Sequence, residues 1–188
     1  MSHGDSCNQS EWTMNNHVGT HLDAPFHFSP EGKKIQEYSA DSWVFEKPFL
    51  VSLPAAPSQI IDIGDWSSQI SPDADLLLLK TGFESKRSSE DYWAHNPGLS
   101  PDLGKWLREH RPKLRAIGFD FISATSYDHR SVGKLAHQAF LHGSEHEPIL
   151  IIEDMHLSEL NESPKMVVIP PVRVQDADGS PVTVIAKG

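Results

Sequence analysis

The run His17-Val18-Gly19-Thr20-His21-Leu22-Asp23-Ala24-Pro25-Phe26-His27-Phe28 constrains this chain more than any other stretch. Its three histidines and single aspartate fall at offsets 0, 4, 6 and 10 from His17, all even. Side chains of an extended strand alternate faces with period two, so an extended segment turns all four groups the same way. A helix would also bring His17 and His21 together, but Gly19 and Pro25 each weaken or break a helix interior. The extended reading is the better supported. Imidazoles and a carboxylate converging on one face suit a borderline or hard divalent cation, Zn²⁺ or Mn²⁺. Gly19 admits close approach of a ligand or backbone, and Pro25 ends the strand so that His27 can turn back over the site. The competing reading, solvated surface histidines, leaves unexplained four ligand-type residues within eleven positions and no other charge among them.

Composition narrows the setting. At 188 residues the chain fits one domain, 1–188, with a core large enough to fold alone. A hydrophobic fraction of 38% argues against disorder. The formal charge of −10 argues against a nucleic-acid partner, because no basic patch is available to neutralise phosphates. No apolar run approaches the roughly 20 residues that span a bilayer, and Met1-Ser2-His3-Gly4-Asp5 lacks a basic region followed by an apolar core. Cys7 is the only cysteine, which excludes a disulfide framework and a thiolate metal site. These features predict a soluble cytoplasmic protein acting on a small molecule, away from membranes.

Strands are predicted from Thr13 into the histidine motif, over Phe49–Leu53, over Ile60–Ile63 and over Leu76–Leu79, the last a continuous apolar run suited to burial on both faces. Ser39 can cap a short helix through Trp43 and Phe45 that ends at Pro48. The polar segment 84–99 carries His95 among aromatics, either touching substrate or packed on the surface. Ser100-Pro101 is a cap followed by a first-turn proline, and Leu103, Trp106 and Leu107 give a helical stripe ending by Pro112. Leu114–Phe121 reads as a buried strand, with Asp120 either near the active site or capping the following turn. Ser123 and Ser126 lack the Gly-x-Ser-x-Gly pattern of a nucleophile elbow. Ser131–Leu141 is a helix with Val132, Leu135, Ala136, Ala139 and Phe140 on one face and His137 on the flank, where a side chain can leave the core for a cavity. Glu153 directly follows the apolar Ile149–Ile152, and a carboxylate there needs a partner, because burying it alone is costly. A metal supplies one. Val167-Val168-Ile169 reads as a strand, Gln175 to Gly179 as a turn, and Val182–Ala186 as a strand pairing with the preceding one. Mixed strands and helices in this order indicate a single α/β or α+β domain.

The pattern H-x-G-T-H-x-D-A-P-x-H-F at His17 to Phe28 resembles the signature of the cyclase family of metal-dependent hydrolases, which includes bacterial kynurenine formamidases and isatin hydrolases. The likeness continues through Leu-Leu-Leu-Leu-Lys-Thr-Gly-Phe (76–83), Pro-Gly-Leu-Ser (97–100), Ile-Gly-Phe-Asp (117–120), His137 before Phe140-Leu141, Ile-Ile-Glu-Asp-Met (151–155) and the late Gly-Ser-Pro-Val. It implies a swivelling β/β/α-type fold, a barrel-like core of mixed strands with helices outside, and a homodimer or homotetramer. It implies one or two divalent ions, with His17, His21 and Asp23 at one position and His137 and Glu153 completing a second, and with Asp23 and Glu153 able to bridge. His142 has the more customary spacing to Glu153, but His137 is preferred because a helix fixes a ligand's direction while the polar loop 142–148 can absorb extra residues. His27 is then free to carry a proton to a leaving nitrogen. Members of the family usually begin with a further strand and loop before the equivalent of Gly4-Asp5-Ser6, so the resemblance implies a shortened start that lacks an aromatic wall of the pocket. The expected reaction is hydrolysis of an amide C–N bond: deformylation of N-formylkynurenine first, ring opening of isatin or another cyclic amide or lactone second, and metal binding without catalysis third.

Overall fold

A computed structural model describes residues 7–142 and 146–188. Among the described residues there are eleven strands: β1 (His21–Asp23), β2 (Val44–Phe45), β3 (Pro48–Ser52), β4 (Ile60–Ile61), β5 (Leu76–Lys80), β6 (Gly98–Leu99), β7 (Ala116–Phe119), β8 (Leu150–Glu153), β9 (Met166–Val168), β10 (Gly179–Pro181) and β11 (Ile185–Lys187). The described residues also form three α-helices: α1 (Asp91–Ala94), α2 (Pro101–His110) and α3 (Arg130–Leu141). The main sheet has six strands in the order β10-β1-β8-β7-β5-β3. Strands β3, β5, β7 and β8 are parallel, and β1 lies antiparallel to both β8 and β10.

The apolar run Leu76–Leu79 explains the layering. Leu77 and Leu79 face one side, where they pack with Leu103 and Leu107 of α2 and Ala136 and Phe140 of α3. Leu76 and Leu78 face the other side, where they meet Trp43, Phe45, Val167 and Ile169 in and around a second sheet of order β11-β9-β2. A strand covered on both faces has no polar alternation to show, which is why this one reads as unbroken leucine. Each fully buried leucine contributes about 1.5–3 kcal/mol from removal of apolar surface from water. The result is helix, sheet, sheet: the β/β/α layering expected. The barrel-like detail differs, because β10 and β3 do not pair with each other among the described residues, leaving the six-stranded sheet open.

Several local expectations shift. The strand expected from Thr13 begins only at His21, after a bend over 16–20 in which Gly19 takes φ +60°, a left-handed conformation that glycine adopts without strain. The helix expected through Trp43 and Phe45 is a 3-10 turn over Ala40–Trp43, and Val44–Phe45 instead pairs with β9. Helix α2 is capped as expected, Ser100 Oγ accepting from Leu103 N at 3.0 Å. Helix α3 starts one residue earlier than expected and presents Gly133, Ala136, His137, Phe140 and Leu141 inward. Leu135 is exposed, so His137 sits within the buried face rather than on its flank. Of the strand expected over Val182–Ala186 only Ile185 and Ala186 fall in one, β11, which pairs with β9 as expected, while Val182 makes an isolated bridge to Pro171. Gly4-Asp5-Ser6 and the centre of the loop 142–148 lie outside the described residues.

Candidate metal centre

The centre stands where the parallel strands end. In the β1–β8 register His21 lies opposite Glu153 and Asp23 opposite Ile151. Ile151 belongs to the helix-side core and Leu22 to the other, so His21, Asp23 and Glu153 all project toward the helices. From that side α3 lowers His137 onto them. All four side chains are buried.

Their atoms converge. His137 Nε2 lies 3.4 Å from Glu153 Oε1 and 3.7 Å from Asp23 Oδ2. His21 Nε2 lies 3.4 Å from Glu153 Oε2 and 3.5 Å from Asp23 Oδ1. The far nitrogens are committed elsewhere: His21 Nδ1 to the Gly19 carbonyl at 2.8 Å, and His137 Nδ1 to the Gly133 carbonyl at 2.9 Å. A carbonyl only accepts, so both Nδ1 atoms carry a hydrogen, and each ring, when neutral, presents an Nε2 lone pair to the carboxylate oxygens. Lone pairs facing carboxylates are held together by protons or by a cation. Burial opposes charging of His21, yet Glu153 and Asp23 outweigh it and raise its pKa to about 9; His137 is raised in the same way. Burial would raise Glu153, but His137 and His21 hold it well below the usual carboxylate range. The carboxylate is steadied further by Ala124 N–H at 2.7 Å and by the Ser123 hydroxyl at 3.2 Å. Three imidazoles and two carboxylates with their lone pairs turned inward are a donor set that fits a divalent cation. The ligand atoms of His17, His21 and Asp23, and separately of Asp23, His137 and Glu153, each fall within 4.8 Å of one another.

His17 and His27 reach the centre differently from the way the even spacing suggests. Only His21 and Asp23 sit on a strand. His17 arrives from the bend at Gly19, its Nδ1 2.8 Å from Asp23 Oδ1. His27 arrives from the 3-10 turn Pro25–His27, and its ring stacks on His17 at a centroid distance of 4.1 Å. Both rings also contact Asp178, from the turn expected over Gln175 to Gly179: Oδ2 lies 2.7 Å from His27 Nδ1 and 3.1 Å from His17 Nε2. Burial would raise Asp178, but donation from His27 and His17 brings it down to about 2. The only hint of this carboxylate in the sequence is its place just before Gly179, where β10 begins.

A cleft of about 510 Å³ opens over these groups, walled by Val18, Phe28, Ile122 and Thr125. Phe28 stacks on His137 with centroids 4.7 Å apart. Asp154, next to Glu153, adopts φ +55° and is held by Arg87 and by the Tyr92 hydroxyl. Phe28 and Asp154 belong to the runs 17–28 and 151–155 quoted above, whereas Arg87 and Tyr92 carry no local sequence pattern. His142 points away, its Nε2 2.9 Å from the Phe28 carbonyl, and so is not simply solvated; His146 is exposed. His95 pairs with Asp128 on the surface. The segment after Asp120 lies at the site as expected, Ile122, Ser123 and Thr125 lining the cleft, while Asp120 itself accepts from Thr81 N–H and Gly82 N–H just past β5 rather than capping its own following turn, and burial raises its pKa.

Known proteins share this arrangement of chain. The Cyclase family model matches residues 2–126. The chain belongs to the cyclase family. Within that family, the kynurenine formamidase of Bacillus cereus is 30% identical over 190 residues, covering 97% of this chain and 81% of that protein. Isatin hydrolase A from Labrenzia aggregata superposes with a TM-score of 0.72 at 20% identity, over 92% of this chain and 73% of that one. Isatin hydrolase A from Ralstonia solanacearum gives 0.71 at 17% identity, over 90% and 71%. The two structural likenesses establish a shared cyclase fold.

Proposed function

We propose that this cyclase-family chain is a metal-dependent amide hydrolase that removes the formyl group of N-formylkynurenine, releasing kynurenine and formate. One observation carries the reading: the buried imidazoles of His21 and His137 aim Nε2 lone pairs at Asp23 and Glu153, a donor set that a divalent cation satisfies. The kynurenine formamidase relative, 30% identical along 97% of the chain, supports the choice of substrate. In this reading His17, His21 and Asp23 hold one ion, Zn²⁺ or Mn²⁺, and Asp23, His137 and Glu153 hold a second. Such an ion supplies Lewis acidity, lowering the pKa of water and polarising an amide carbonyl.

The protein groups handle orientation and protons. Phe28 and Ile122 offer apolar surface to an aryl ring. As the oxygen of water bonds to the formyl carbon and the C–N bond breaks, the departing arylamine nitrogen needs a proton. His27 lines the cleft with Nδ1 engaged by Asp178, so its Nε2 is the nitrogen placed to receive a proton from water and pass it on.

Elemental analysis combined with an assay panel of N-formylkynurenine, isatin and a simple lactone tests the proposal. The expected result is one or two equivalents of divalent metal and hydrolysis of the formamide in preference to the cyclic substrates. Preferred opening of isatin would replace the substrate, and absence of metal uptake would overturn the whole reading.

A further inference from the structure

Asp178 sits at a junction that strand pairing alone does not explain. The backbone already fixes this edge: Asp23 is in register with Gly179, and Ala24 N–H donates to the Asp178 carbonyl at 2.8 Å. The carboxylate is spare for that purpose, yet every contact it makes is aimed. Oδ1 accepts from the Asn16 side-chain amide. Oδ2 faces His27 Nδ1 and His17 Nε2 together. The next residue belongs to the same device, because a Cβ at Gly179 would lie 2.4 Å from His17 Cε1. Glycine there is what lets the His17 ring lie against the strand.

A carboxylate only accepts, so the hydrogens of both contacts reside on the imidazoles. Which nitrogen of an imidazole is available is set by the hydrogen bond that the other nitrogen makes. We propose that Asp178 is a positioning residue that holds a hydrogen on Nδ1 of His27 and on Nε2 of His17, leaving Nε2 of His27 for the cleft and, once a cation displaces the hydrogen that His17 Nδ1 shares with Asp23, Nδ1 of His17 for the cation position. The proposal rests on the hydrolase reading for its purpose, though not for its geometry. One carboxylate thereby couples a proton-carrying histidine to a ligand histidine.

The Asn16 contact makes this testable. Asn16 donates to Oδ1, so in Asp178→Asn the amide oxygen occupies that place and the NH₂ group turns toward the imidazoles. A donor facing Nδ1 forces the His27 hydrogen onto Nε2, the wrong tautomer for proton acceptance. Long-range ¹H–¹⁵N NMR of histidine-labelled protein, recorded as purified and after Zn²⁺ loading, reads the tautomers directly. His27 should carry its hydrogen on Nδ1 in the wild type and on Nε2 in Asp178→Asn. Asp178→Ala, which removes the acceptor without offering a donor, should give a mixture. In the Zn²⁺-loaded protein Asp178→Ala should lower kcat about 10- to 100-fold, the usual scale for loss of a group that orients a metal-site residue, with KM within about two-fold and Zn²⁺ content retained. An unchanged His27 tautomer in Asp178→Asn overturns the proposal. So does loss of Zn²⁺ from Asp178→Ala with the tautomer intact, which would make Asp178 a ligand. If the wild type hydrolyses no formamide, the hydrolase reading fails while the NMR comparison still decides the role of Asp178.

Discussion

At the scale of single residues, His21 governs how the centre charges with metal. Without a cation its pKa lies near 9, because the carboxylates of Glu153 and Asp23 overcome the effect of burial. At neutral pH it is therefore protonated, and a ligand imidazole must be neutral. Metal uptake at pH 7 should release at least one proton from His21. Apparent affinity should accordingly rise with pH up to about 9 and flatten above it. Calorimetric titration of Zn²⁺ in buffers of different ionisation enthalpy measures this release directly, and equal heats in all buffers would contradict it. The ligand candidates were legible as residues because His17, His21, Asp23 and His27 crowd a short segment. Asp178 was not, since its contact with His27 spans 151 positions and leaves no local spacing to notice.

Elements were legible where burial or a cap imposes a pattern that only one structure satisfies. The leucines of β5 have one reading, because a run apolar on consecutive positions must be covered from both sides. The start of α2 is equally plain, with Ser100 supplying the cap and Pro101 needing no partner for an absent N–H. Elsewhere the tertiary setting overrode the pattern. Val44 and Phe45 continue an apolar helix stripe by spacing, but β9 offers a ladder that a two-residue strand can join. In α3 the stripe through Leu135 looked inward, whereas the helix is rotated so that His137 lies over β1 and β8 and Leu135 meets solvent. That rotation buries Ala136, Phe140 and Leu141 in the core and brings His137 Nε2 to Glu153 and Asp23, while the Gly133 carbonyl within the same helix holds its far nitrogen. The convergence predicted from even offsets therefore arrived by another route. Two of the four groups alternate along β1, and a bend and a 3-10 turn deliver the others.

At the scale of the whole molecule, the surface near the two ends of the described chain is unusually apolar for a protein of net charge −10. Trp12 is 82% exposed, and Met14, Val172 and Val174 are each more than half exposed. Together they border a single depression of about 600 Å³. Contiguous apolar surface of this kind is covered in stable assemblies. The homodimer or homotetramer implied by the family resemblance is proposed to cover it with a second copy of the chain. Light scattering should then report a multiple of 20.9 kDa, and Trp12→Asp with Val172→Asp should shift the mass toward that of one chain. A mass unchanged by the substitutions would place the interface elsewhere. Among the described residues no helix is long and apolar enough to cross a membrane.

The crowding of His17, His21 and Asp23 into seven consecutive residues has a consequence for the unfolded chain. A disordered peptide can wrap those three donors around an ion without any fold, whereas Asp23, His137 and Glu153 meet only when β1, α3 and β8 are assembled. A ligand stabilises the native state only by the margin with which it prefers native over unfolded protein. The first equivalent of metal should thus raise the melting temperature less than its affinity implies, because part of that affinity survives unfolding. Occupation of the distant trio should give the full effect. Melting curves across a Zn²⁺ titration should show a shallow rise followed by a steeper one, and Glu153→Gln should abolish the second phase while leaving the first.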